Sequence, residues 1–180
     1  RAGVATIILR DIGYVTAGLL VRQNFTELDL GRRKVDALAD RLRAISDHVI
    51  VVERPGLAQA ALQSAVDADV IIDCTVNTGV AVAIDEAQAS GKLPIPVVQV
   101  ATDNDSATLG ILTVSTGSPA ATTNAIDKAL RETVANESTL SPYLAFWNRD
   151  SHPSLIPTLG CSVPTFHGAA TDAGAIAAQA

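Results

Sequence analysis

The run Leu20–Lys34, LVRQNFTELDLGRRK, sets Arg22 and Lys34 around a mostly polar connector, with Lys34 in the first turn of an amphipathic helical pattern. Two cations flanking a loop suit a phosphate: a planar guanidinium clamps it in a bidentate way, and an ammonium follows it as a mobile point charge. Just upstream, the apolar run Val4–Leu9 leads into Arg10 and Asp11, and a carboxylate at the end of such a strand is placed to accept hydrogen bonds from a ribose. Val70–Asp73, VIID, repeats the pattern, so a second carboxylate ends a second strand. Each residue alone has a plainer reading, Asp11 as a turn residue and Arg22 and Lys34 as solvated helix-end charges. Their ordered occurrence is what points to chemistry.

Elements able to hold such groups recur along the chain. Val4–Leu9 reads as a strand, and Val35, Leu38, Ala39, Leu42 and Ile45 recur at helical spacing. His48–Glu53 reads as a strand stopped by Pro55-Gly56, and Leu57–Val66 as an Ala-rich helix. After Val70–Asp73, a helix over Val80–Ala89 closes at Gly91, and Leu93–Ala101 and Leu109–Ser115 are two more strands. Ala120–Ala135 reads as a helix, Ser138–Pro164, with four prolines and the only Trp, as an irregular crossover, and Ala169–Ala180 as a final helix. This alternation predicts a Rossmann-like α/β fold, a doubly wound sheet flanked by helices and mainly parallel through Val4–Ala101, with Asp11 and Asp73 at the carboxyl ends of their strands and facing one crevice. The expected organisation is a nucleotide-binding α/β domain over residues 1–135, with 136–180 as the crossover loop and C-terminal helix of the same domain.

Composition narrows the function. A chain of 180 residues with 48% hydrophobic content can bury a real core. Its formal net charge of -6 argues against nucleic acid as a partner, because backbone binding depends on surplus Lys and Arg. No apolar stretch approaches the roughly 20 residues of a membrane span and no leader pattern is present, so no membrane partner and a cytoplasmic address are expected. Two cysteines, Cys74 and Cys161, are too few for a disulfide framework and are expected to be reduced, Cys74 as a small core hydrophobe. The chain opens at Arg1 and has no Met, and is expected to be part of a longer one.

The set Asp11, Arg22, Gln23, Lys34 and Asp73 resembles the ATP-binding half of the ThiF/MoeB/HesA superfamily, adenylating enzymes related to ubiquitin-activating enzymes. The family pattern runs from a strand and a Gly-rich turn to a second strand ending in Asp, an Asn-x-x-Arg-Gln loop and a Gly-x-x-Lys helix start. Here the match begins at the second strand: Asp11 matches the ribose-binding Asp, Arg22-Gln23 the Arg-Gln pair, and Gly31-Arg32-Arg33-Lys34 the helix start. Asp73-Cys74-Thr75-Val76-Asn77 resembles the Asp-x-Thr-Asp-Asn segment, whose first Asp lies beside the triphosphate and its magnesium. The Gly-rich turn is expected upstream of Arg1. The chain departs from the pattern at Leu19, where the family has Asn, at Gly13, where a second Asp is expected, and at Val76.

The resemblance implies ATP-dependent adenylation of the C-terminal carboxylate of a ubiquitin-like or sulfur-carrier protein. ATP would lie on Asp11, Arg22, Gln23, Lys34 and Asp73, with Mg2+ on Asp73, and Arg22, Lys34 and Asp73 would act in catalysis. It also implies a homodimer. Pro157–Asp172, PTLGCSVPTFHGAATD, resembles a cysteine motif of bacterial ThiF-like proteins, which would make Cys161, with His167 nearby, the acceptor for a thioester. The departures favour an alternative, a catalytically inactive ThiF-like dimerisation or scaffold domain. A nicotinamide-binding oxidoreductase shares the strand-end Asp but leaves Lys34 and Asp73 unexplained.

Overall fold

β-branched Thr6, Ile7 and Ile8 favour extended backbone, and Thr6–Leu9 forms strand β1. The computed structural model describes residues 4–20, 23–46, 50–53, 62, 67–75, 77–103, 108–147, 175 and 178. By its contacts the chain falls into two units, Arg1–Ala61 and Leu62–Ala180. In the first, β1 pairs in parallel with β2 (Ile50–Glu53), Thr6 opposite Ile50 and Leu9 opposite Glu53. A parallel pair needs a crossover that returns the chain to the same end of the sheet, and helix α1 (Lys34–Ile45) lies within it. The apolar stripe of α1 buries Val35 and Ala39, and the Arg43 guanidinium donates to the Val51 carbonyl of β2 at 3.1 Å. Leu38 and Ile45, expected on the buried face, fall on one flank of that stripe and stay 37% and 75% exposed.

In the second unit, β3 (Ile71–Asp73) pairs in parallel with β4 (Val97–Thr102), and helix α2 (Thr78–Ala89) lies in the crossover. Asn77 starts α2 by accepting from the amides of Gly79 at 2.8 Å and Val80 at 3.4 Å, and Gly91, at φ +70°, ends it as expected. β4 begins later than the apolar run Leu93–Ala101 predicts, because Pro94 and Pro96 have no amide hydrogen to offer a ladder. Ile84, Leu93 and Val97 form the core of this unit, with Ile71, Val80 and Leu62 packed against them.

The strand after the stretch expected to be parallel runs the other way. β5 (Gly110–Ser115) runs antiparallel to β4, from Val97 opposite Ser115 to Thr102 opposite Gly110. The connection between them is shorter than the dozen residues a parallel return requires. Asp103 closes it: its amide donates to the Leu109 carbonyl at 3.1 Å and its carboxylate accepts from the Leu109 amide at 2.8 Å. Parallel pairs with helical crossovers still make this an α/β fold, with one antiparallel strand at the end of the sheet β3-β4-β5.

Helix α3 (Thr123–Asn136) starts just inside the expected range, at an N-terminus fully supplied with acceptors. The amides of Thr123, Asn124 and Ala125 donate to Gln88 at 3.1 Å, to Asp85 at 2.9 Å and to the Thr122 cap at 3.3 Å. The first part of the segment expected to be irregular, Ser138–Phe146, is a 3-10 helix. Helices expected over Leu57–Val66 and Ala169–Ala180 lie outside the described residues, apart from Leu62, Ala175 and Ala178, which are helical. Among the described residues, no helix is long and apolar enough to cross a membrane.

Candidate functional site

Ligands of open α/β sheets sit beyond the carboxyl ends of parallel strands, and each unit carries an expected carboxylate at such an end. Asp11 follows β1 by two residues and is exposed. The Gly13 amide donates to Asp11 Oδ1 at 2.6 Å, while the Gly13 carbonyl accepts from the Lys34 amide at 2.9 Å. Beyond it the Val15 amide donates to the Arg32 carbonyl and the Gly31 amide to the Val15 carbonyl, both at 2.9 Å. Gly13–Val15 and Gly31–Lys34 thus form an antiparallel stem that closes the intervening loop. Val15 and Leu19, 2% and 1% exposed, anchor that loop from inside, and Gly31 turns it at φ +78°, a conformation that favours glycine.

The stem brings the start of α1 to the end of β1. Lys34 Nζ lies 3.9 Å from Asp11 Oδ2, with the Lys34 side chain 14% exposed. Gly13 lets them approach: a Cβ there would stand 3.0 Å from Asp11 Oδ1 and 3.2 Å from Lys34 Cε. Three described cations of this region face acids elsewhere. Arg32 reaches Asp29 and Asp40, Arg33 grips Asp36, and Arg41 lies 3.8 Å from Asp29. Asp29 accepts from the Thr26 amide and hydroxyl, both at 2.9 Å, and these bonds, the backbone one first, hold its carboxyl below the ordinary range with help from Arg32 and Arg41. A carboxylate able to accept from a hydroxyl and an ammonium able to meet an anion therefore stand side by side at the strand end.

Asp73 ends β3 and is 8% exposed. Its Oδ1 accepts from the Thr75 amide at 2.9 Å and its Oδ2 from Gln99 Nε2 at 2.8 Å. Register places Asp73, Gln99 and Thr113 in one row across β3, β4 and β5, and the row lines a cleft of about 630 Å³ that also meets Asp85, Asp127 and Trp147. Asp85 is taken by the Asn124 amide, and Asp127 accepts from the Trp147 indole at 3.1 and 3.2 Å. Among the described residues, no cluster of three or more His, Cys, Asp or Glu side chains forms a metal cage. One carboxylate beside an open cleft does suit magnesium, which keeps several waters and binds with substrate phosphate oxygens.

Of the residues singled out in the sequence, Asp11 and Lys34 are brought together, and Gln23 sits in the same closed loop, its amide donating to the Leu19 carbonyl at 2.8 Å. Arg22, Cys161 and His167 lie outside the described residues. Cys74 is not the core residue expected: β3 ends at Asp73, which leaves Cys74 exposed as a residue. Its thiol is nonetheless partly desolvated, and that burial, then the charge of Asp73, pushes it up from the ordinary thiol value. Two contributors were missed. Gly13 was noted only as a departure from the family pattern, not as the residue that lets Asp11 and Lys34 approach, whereas Gln99 stands out as the polar residue inside the apolar run PVVQVA.

The sequence profile of the ThiF family matches residues 1–145. No curated protein matches the chain significantly. Among solved structures, E. coli MccB with ATP is similar at a TM-score of 0.51 and 20% identity, over 58% of this chain and 32% of that one. The microcin C7 biosynthetic enzyme MccB in complex with N-formylated MccA aligns at 0.50 and 19%, over 58% and 31% of the two chains. E. coli MccB with AMPCPP and MccA aligns at 0.52 and 17%, over 64% and 34%. The chain spans about a third of the length of these structures, and at such identities the likeness is one of fold.

Proposed function

The chain belongs to the ThiF family, and from that premise we propose that the full protein is an ATP-dependent adenylyltransferase acting on the C-terminal carboxylate of a ubiquitin-like or sulfur-carrier protein. The observation that carries this reading is the Asp11–Gly13–Lys34 arrangement, a carboxylate and an ammonium joined at the carboxyl end of a parallel strand. MccB, of similar fold, has been solved with ATP and with the peptide MccA, which supports a nucleotide and a carboxyl-bearing polypeptide as the substrate classes.

In the proposed reaction a carboxylate oxygen of the carrier attacks the α-phosphorus of ATP. The bond from that phosphorus to the pyrophosphate oxygen breaks, giving an acyl-adenylate and pyrophosphate. Asp11 would accept the ribose hydroxyls, and Gln23, in the closed loop, would add a polar contact to the nucleotide. Arg22 and Lys34 would bear the negative charge that grows on the phosphoryl and leaving oxygens, a contribution that needs preorganised cations. Asp73 would hold magnesium, which when bound neutralises phosphate charge. Its two existing hydrogen bonds leave one lone pair on each oxygen for that purpose. Cys161 would then attack the acyl carbon, releasing AMP and carrying the product as a thioester. The test is magnesium- and carrier-dependent exchange of pyrophosphate into ATP, followed by a reducible conjugate lost in Cys161→Ala. Exchange without a conjugate ends the chemistry at the adenylate.

A second reading, an inactive scaffold, is favoured by Leu19, which replaces the family's Asn with a side chain 1% exposed in the core. Absence of exchange in a folded full-length protein that still assembles would establish it. Both readings include a homodimer, supported by the apolar surface that Ile72, Leu112 and Val114 leave 65%, 44% and 47% exposed. Sedimentation as a monomer at micromolar concentration would remove that part.

A further inference from the structure

We infer that Gln99 is a positioning residue for Asp73, fixing the carboxylate in the orientation it needs toward a ligand in the cleft both residues line; the inference rests on the adenylation reading above. An Asp side chain on its own turns easily about its terminal bond, because that torsion is broad. Here it is stopped from two sides. Thr75 donates to Oδ1 from the backbone that follows β3, and Gln99 donates to Oδ2 from the neighbouring strand. Together the donors set the plane of the carboxylate and take one lone pair of each oxygen, leaving the other for a ligand.

Gln99 is well placed to be the stiffer of the two supports. β4 is paired on both edges, parallel to β3 and antiparallel to β5, so the backbone of Gln99 lies in the middle of a three-strand row with Asp73 on one side and Thr113 on the other. Packing alone does not ask for an amide at this position. The surrounding run is apolar, and a half-buried amide without a partner is costly. Among the described residues, its one hydrogen bond to another side chain goes to the carboxylate that ends β3. Support from outside the direct ligand set typically changes metal affinity or activity by about 10- to 100-fold.

Two variants of the full protein test the inference by pyrophosphate exchange. Gln99→Met keeps the length of the side chain and removes the donor, and is expected to lower exchange by about 10- to 100-fold at every pH and to raise the magnesium concentration for half-maximal rate. Gln99→Glu keeps the length of the side chain but offers Asp73 Oδ2 an acceptor in place of the donor. It is therefore expected to restore neither the rate nor the magnesium dependence that Gln99→Met loses. A residue that only packs would leave the magnesium dependence of both variants as in the wild type. Gln99→Met with wild-type rate and magnesium dependence, beside an inactive Asp73→Ala, would overturn the inference and leave adenylation standing. No exchange in the wild type would overturn adenylation. The contact itself is read without activity from the Gln99 side-chain amide resonances, which Asp73→Ala is expected to move; resonances indifferent to that change overturn the inference in either case.

Discussion

The carboxylates at the ends of β1 and β3 are held in opposite ways. Asp11 is exposed and takes its hydrogen bond from Gly13, two residues away, with Lys34 at 3.9 Å across a surface that solvent and salt can screen. Asp73 is buried and takes a hydrogen bond from Gln99, 26 residues away on the next strand. The first is set by a local turn and can adjust when a ligand arrives. The second has a local donor too, the Thr75 amide, but its other oxygen is held by a residue that strand register places opposite it. In the adenylation reading, the first unit would therefore supply an adaptable nucleotide grip and the second a preorganised group.

The largest effects are expected on catalysis, and they sharpen this contrast. Lys34→Ala and Asp73→Ala are each expected to lower pyrophosphate exchange by about 100-fold or more, the usual loss for one preorganised charge at a reacting phosphate. Asp11→Ala removes a group that would hold the ribose, remote from the reacting atoms, and is expected to act mainly as a rise in KM for ATP with kcat little changed. A kcat loss for Asp11→Ala as deep as that for Asp73→Ala would break the comparison.

Next in size is a pair of glycine substitutions that compares the backbones of the two units. Gly117, at φ +80°, would place a Cβ 2.5 Å from the Pro94 carbonyl carbon and 2.6 Å from the Ile95 nitrogen, backbone atoms that cannot swing aside. Gly31, at φ +78°, would place one in open space. Gly31→Ala is expected to cost only the left-handed conformation, roughly 1–2 kcal/mol. Gly117→Ala adds a packing clash of typically 1–3 kcal/mol. Chemical denaturation monitored separately in each unit measures both, and equal losses would show that close packing around Gly117 does not matter.

The same contrast explains what could be read from the residues. Motifs whose partners are near in sequence were legible: Gly91 at the end of α2, and Asp11 and Lys34 as groups at the ends of their elements. No direction was assigned to the strand beyond Ala101, although the short connection at Asp103 contained the reason for the antiparallel run of β5. Gln99 was missed for a different cause. Its meaning depends on which residue of β3 lies opposite it, and register between strands separated by a helix is not encoded by local periodicity. Leu38 and Ile45 fit the helical spacing but fall outside the buried stripe, since periodicity specifies a face and not how much of it finds cover.

The smallest expected effect concerns acid. Asp29 clamps the loop before α1, and hydrogen bonds from Thr26, first the amide and then the hydroxyl, depress its carboxyl relative to the ordinary value of 3.8, with the charges of Arg32 and Arg41 acting in the same direction. A group with a depressed native pKa binds fewer protons folded than unfolded, so its contribution to stability is fully present above 3.8 and is lost as pH falls through the lower native value. The amides of Asp29 and Arg32, which donate to the carbonyls of Thr26 and Asp29, report that clamp directly. Their hydrogen-exchange protection is expected to weaken on acidification before that of the β4 amides, which lie in a strand paired with β3 and β5. Asp29→Asn should abolish this acid limb. Thr26→Ala keeps the amide, the larger cause, and loses only the hydroxyl, so it should shift the limb less. Loss of protection in the loop and in β4 at the same pH would show that the first unit's local clamp and the second unit's strand register fail together, and the distinction between them would then be one of geometry without consequence for stability.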